Sequence, residues 1–184
     1  MYRRILFLCA SAIAVLSAPL VACASDSDRC RGLDHRFRVE KAQLSAIEVS
    51  LALFSATDEN CTSLATELLD GGASVDARDR FGTRPLSHAA RNGHLQMVDL
   101  LLARGAPINA RNLAGATALY FAAERGRVEV ARRLIERGAD VNLTGRSGIS
   151  PVAASAYAGS DAIVEMLGCS QGRDLSAGRW CSYR

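Results

Sequence analysis

Lysine is nearly absent from this chain. Lys41 stands alone, so positive charge is carried by arginine, whose planar fork of donors suits carboxylates and stacking at a protein surface. Histidine is scarce as well: His35, His88 and His94 are the whole supply for acid–base work near neutral pH. His94 is expected to help start a second helix, His88 to be a part-buried residue of a first helix, and His35 lies ahead of the patterned region. Carboxylates such as Asp70, Asp79 and Glu136 read as scattered over surfaces, not paired for acid–base chemistry. No P-loop or G-x-S-x-G string occurs, and no C-x-x-C pair or histidine at ligand spacing accompanies the cysteines. No catalytic residue, metal site or cofactor is therefore expected. An excess of one charge is lacking too. Lys plus Arg number 22 against 19 Asp plus Glu, and setting aside Arg3 and Arg4 in the leading segment leaves 20 against 19. That balance gives no reason to expect a nucleic-acid partner.

What is there begins with a leading segment. Basic Arg3 and Arg4, an apolar run from Ile5 to Leu16 and the Ser17-Ala18-Pro19 break make residues 1–24 read as a secretory signal. The run is far short of the roughly 20 residues that a spanning helix needs. Two endings compete: Ala22-Cys23-Ala24 suits simple cleavage after small residues, and Leu20-Val21-Ala22-Cys23 fits a lipobox. The second resembles a bacterial lipoprotein signal, which implies lipid on Cys23 and, with Ala24 following, an anchor in the outer membrane. Beyond this segment Cys30, Cys61, Cys169 and Cys181 remain. Four cysteines in an oxidising compartment allow two disulfides. Their places, two near each end of the patterned region, favour Cys30 with Cys61 and Cys169 with Cys181, one of three connectivities.

The strongest signal is internal. Gly82, Gly115 and Gly148 are evenly spaced, and Gly93, Gly126 and Gly159 repeat at the same interval, as do Gly72, Gly105 and Gly138. A shared period of about 33 residues means stacked units. In each unit a turn-rich string such as Asp79-Arg80-Phe81-Gly82 precedes a short helix opened by Pro85-Leu86 or its equivalent, with small Ala89 and Ala90 allowing close approach. A second helix carries an apolar stripe, Leu95, Val98, Leu101 and Leu102 in one unit and Val128, Ala131, Leu134 and Ile135 in the next.

These columns resemble the ankyrin repeat. The match is specific at Pro85-Leu86, Ala89-Ala90, Gly93-His94, Thr117, Leu119, Ala122-Ala123, Ser150-Pro151 and the closing Gly138-Ala139-Asp140-Val141-Asn142. The resemblance implies an all-α solenoid of about four helix-turn-helix units over residues 44–168, at about 44–78, 79–111, 112–144 and 145–168. Residues 25–43 form a linker and the start of a capping helix, and 169–184 form a tail tied back by Cys181. The first unit is degenerate, and Val39 to Thr57 could run as one long helix into the stack. The threonine column holds Arg84, and the histidine column holds Ser87, Tyr120 and Ala153, so the family's pairing between those columns is mostly missing.

The resemblance also implies a non-enzymatic module that binds another protein through turn tips and the first-helix face. Carried over position by position, the candidates are Arg78, Arg80, Phe81, Arg91, Arg111, Leu113, Arg125, Arg146 and Tyr157. Arg80, Arg111 and Arg146 would form a stripe of free charge at successive tips. The expected protein is a monomer of the bacterial periplasm that binds an envelope or periplasmic protein, membrane-attached where Cys23 is lipidated. Alternatives are an inhibitor or immunity-type protein that blocks a periplasmic toxin or enzyme, a structural envelope lipoprotein, and an enzyme using His35 and Asp34.

Overall fold

Ser45 and Glu48 decide where the stack begins. The Ser45 amide donates to Glu48 Oε2 at 2.7 Å and the Glu48 amide returns to Ser45 Oγ at 3.3 Å, a reciprocal cap that starts helix α1 at Ala46. The Ser45 amide, with its hydroxyl, holds the Glu48 carboxyl below its ordinary value. The long helix expected from Val39 is thus corrected: α1 spans Ala46–Asp58, because the cap at Ser45 fixes its first turn there. The protein is described by a computed structural model over residues 30–33, 35, 37, 45–145 and 147–170. The expected leading segment with Cys23, the residue Arg146, the tail with Cys181 and the Cys169 side chain lie outside the described residues.

Helices then follow in pairs. After α1 come α2 (Thr62–Asp70), α3 (Pro85–Asn92), α4 (Leu95–Ala103), α5 (Ala118–Glu124), α6 (Val128–Glu136), α7 (Pro151–Tyr157) and α8 (Asp161–Ser170). Among the described residues there is no strand. The first helices start on local rules: Pro85 and Pro151 occupy the first turn, and the Thr117 and Ser150 hydroxyls accept from the amides of Tyr120 and Ala153, each at 3.2 Å. Arg84 replaces the capping threonine in α3 and makes no such bond.

First helices stack on first helices (α1, α3, α5, α7) and second on second (α2, α4, α6, α8), with each pair also packed on itself. The core runs between the two layers. Leu68, Leu101, Leu134 and Leu167, one per unit at the repeat interval, are fully buried, each worth about 1.5–3 kcal/mol of apolar transfer. Ala56, Ala89, Ala122 and Ser155 form a second buried column, small enough for neighbouring helices to touch.

The first unit reaches the same geometry with different residues. Gly93 closes α3 in the left-handed region at φ 85°, and a Cβ there would lie 2.9 Å from Arg127 Cδ. The equivalent position one unit earlier is Asn60, also left-handed at φ 59°. Asparagine is one of the few side-chain-bearing residues that enter this region readily. Next to it, Cys61 is the N-cap of α2 and is disulfide-bonded to Cys30, with Cα atoms 5.4 Å apart. The expected Cys30–Cys61 bridge is therefore present, tying helical backbone at 30–33 onto the first unit.

Candidate protein-binding surface

In the two central units the turn is built by the first residue of the turn string. Asp79 Oδ1 accepts from the Phe81 and Thr83 amides, both at 2.8 Å, and Asn112 Oδ1 accepts from the Ala114 and Ala116 amides, both at 2.9 Å. Phe81 and Leu113 stand on these two turns, 56% and 65% exposed. Neighbouring tips are joined by the Leu113 amide donating to Phe81 O at 3.0 Å.

Tips and first helices enclose two adjoining hollows. One, ≈ 890 Å³, lies between α1 and residues 78–81, with Leu51, Phe54 and His88 among its walls. The other, ≈ 640 Å³, lies between the tips at Phe81, Leu113 and Ser147 and α5, which contributes Tyr120, Phe121 and Glu124. Asp79, Phe81 and Arg91 border both. Burial, with Glu124 nearby, raises the Tyr120 phenol above its usual value, so it stays a neutral donor in the second hollow. Volumes of this size take a few side chains of a partner.

Below the shared border lies a polar cluster that the sequence did not reveal. His88 is buried, with Nδ1 3.0 Å from Asp58 Oδ1 and Nε2 3.1 Å from Asp79 Oδ2, and its ring packs on Phe54 at 5.0 Å between centroids. Each ring nitrogen thus faces one carboxylate. The Asn92 side-chain amide donates to Asp58 Oδ1 at 2.9 Å, and Arg91 Nη2 approaches His88 Nδ1 at 3.3 Å. Burial opposes ionisation of Asp79, but the Thr83 amide, His88 and the Phe81 amide outweigh it and hold the carboxyl below its ordinary value. Both ring nitrogens are thus taken up within the protein, and the cluster clamps unit one to unit two. Asp79, expected on a surface, is instead the keystone of its turn. His94 starts the second helix as expected, as the N-cap residue of α4 whose carbonyl accepts from the Val98 amide; its side chain makes no cap, and its Nε2 lies 2.9 Å from the carbonyl of Asp58.

The expected binding residues separate into groups. Arg78, Arg80, Phe81 and Arg91 line the first hollow, Phe81, Arg91 and Leu113 the second. Arg80 lies over the Phe81 ring, 4.8 Å from its centroid. Tyr157 is 85% exposed but lines neither hollow, and neither does Arg125, which lies 3.9 Å from Glu124. Arg111 breaks the expected free stripe, since its guanidinium donates to Gly115 O at 3.0 Å and to Thr144 O at 2.6 Å, stitching its turn to the next. Arg84 does the same one unit earlier, pairing with Asp76 and donating to Arg111 O at 3.1 Å. Asp58 and the α1 residues Ile47, Leu51 and Phe54 were missed. Asp58 lies one full period before Arg91, so extending the register one unit toward the N-terminus would have found it.

Among the described residues, no group of His, Cys, Asp or Glu is placed to hold a metal ion, and no helix is long and apolar enough to cross a membrane. A family model described as ankyrin repeats (3 copies) matches residues 53–145 and 111–177, well over half of the chain. The chain matches no curated protein.

Proposed function

The chain belongs to the ankyrin-repeat family, a fold of protein–protein interaction, and from that premise we propose that it is an exported, non-enzymatic binding module of the bacterial periplasm. It holds an envelope or periplasmic protein against the turn tips and first helices. The observation that carries this reading is the pair of large apolar side chains, Phe81 and Leu113, that stand exposed on successive tips over two adjoining hollows. Apolar and aromatic anchors ringed by arginine are the composition of interface hot spots. Export is supported by the pattern of residues 1–24 and by the Cys30–Cys61 disulfide, a bond that persists in oxidising compartments. Attachment through lipid on Cys23 follows from the lipobox, and Cys23→Ser should then shift the protein from the membrane to the soluble fraction.

A photo-crosslinking residue placed at Phe81 or Leu113 in cells should trap the same partner from both positions. One placed at Arg132, exposed on the second-helix layer, should trap none. Failure to recover a reproducible adduct from either tip would remove the basis for this function.

A further inference from the structure

We propose that the hollow between α1 and residues 78–81 seats an acidic, apolar segment of the partner: an apolar side chain enters against Leu51, Phe54 and Phe81, and a neighbouring carboxylate pairs with Arg80 and Arg91. This rests on the binding function above and specifies its chemistry. The apolar half is given by α1. Its inward residues Leu53 and Ala56 are fully buried, yet Ile47 and Leu51 on the open side are 74% and 60% exposed, an unusual exposure for two residues one turn apart.

The charged half is given by what the arginines do not do. Neither Arg80 nor Arg91 has an ion-pair partner among the described residues, and Arg78 has only a distant one, Asp76 at 3.7 Å. The acid of this hollow, Asp79, is turned inward onto two amides and His88. The hollow therefore presents cationic donors above an apolar floor. Both key guanidiniums are already placed, Arg80 by the Phe81 ring and Arg91 beside His88, which lowers the ordering penalty of binding. A guanidinium fork meets a carboxylate in two parallel hydrogen bonds, the geometry that makes such pairs strong. The second hollow differs in having Glu124 on its wall, so the preference for an acidic guest is local to the first.

The test is selection of a displayed random-peptide library on the purified, disulfide-intact protein. Enriched peptides should carry Asp or Glu beside Leu, Ile, Phe or Trp. A synthetic peptide of that sequence, titrated by fluorescence anisotropy, should lose about tenfold or more in affinity to R80E/R91E and to Leu51→Asp, and weaken with added salt. Leu113→Ala, in the second hollow, should leave it within about twofold. Reselection on R80E/R91E, its fold checked by circular dichroism and melting, should enrich Lys and Arg instead. Peptides without acidic residues, an affinity indifferent to R80E, or no selected peptide at all would overturn the inference. The tip crosslinks would still stand or fall by themselves, so loss of this subsite and loss of the binding function are separable.

Discussion

The first unit and the two central units solve one packing problem with different parts. In the centre, a glycine turns the chain at the end of each first helix, and adjoining turns are joined by a backbone bond and by Arg84 and Arg111 reaching carbonyls. In the first unit an asparagine makes the turn, a disulfide holds the next residue, and His88 and His94 reach back to Asp58 from the unit behind. A central unit has a packed neighbour on both sides and can rely on repetition. The end unit has a repeat neighbour on one side only, and it is reinforced by side-chain links to that neighbour and by the disulfide to Cys30, which is buried with Phe37 in the shared core.

The comparison breaks most visibly in the leucine column. Leu101→Ala, between packed units, should cost about 2–5 kcal/mol in urea melts, and Leu68→Ala in the end unit should fall nearer the lower bound. A larger loss at Leu68 would mean that the first unit nucleates the stack. Opening the Cys30–Cys61 bridge, which closes a separation of 31 residues, should cost about 3.5 kcal/mol in the chain-entropy picture. Hydrogen exchange on C30S/C61S should rise in α1 and α2 and leave α5 and α6 close to wild type.

Smaller effects sharpen the contrast at single columns. Gly93→Ala, strained at positive φ and crowded by Arg127, should cost about 1–2 kcal/mol. Asn60→Gly should do the reverse by about 1 kcal/mol, because it relieves a left-handed asparagine whose buried Oδ1 has no hydrogen-bond partner among the described residues. Thermal melts of the two variants should shift in opposite directions. Arg111→Ala should cost about 1 kcal/mol through its two carbonyl bonds, whereas Arg80→Ala should stay within about 0.5 kcal/mol.

The smallest change concerns acid. Asp79 has a lowered pKa when folded, so its contribution is complete above the ordinary carboxylate value and disappears as pH falls through the lower folded one. Asp79→Asn should keep the turn, since Asn112 makes the same two bonds with an amide oxygen. It should flatten the acid limb of the stability profile. An unchanged acid limb would show that Asp79 does not control it.

The period, the helix pairs of the central units and the exposed tips at Phe81 and Leu113 were readable because each follows from local pattern: glycine at a fixed interval, proline in a first turn, an apolar stripe. The clamp between units was not. Asp58 and His88 are 30 residues apart, and neither is a conspicuous residue for its helix. Nor does position at a turn tip reveal where a guanidinium points. Arg80 and Arg111 look alike in the sequence, yet one lies on a phenyl ring in a hollow and the other is bound to two carbonyls.

Those carbonyl bonds have a mechanical meaning. The turn edge of the stack is laced by directional bonds from Arg84 to Arg111 O and from Arg111 to Thr144 O, with Leu113 to Phe81 O between them. The second-helix layer is held by side-chain packing and by side-chain ion pairs, Arg104 with Asp70 and the half-buried Arg133 with Asp99, rather than by bonds to backbone carbonyls. The array is thus expected to be stiffer along the turn edge than along the helix edge, like a bound book. A guest that bends it should fan the second helices apart while the spacing of the tips stays fixed. Spin labels paired along each edge would then report a broad distribution of distances on the helix side and a narrow one at the spine.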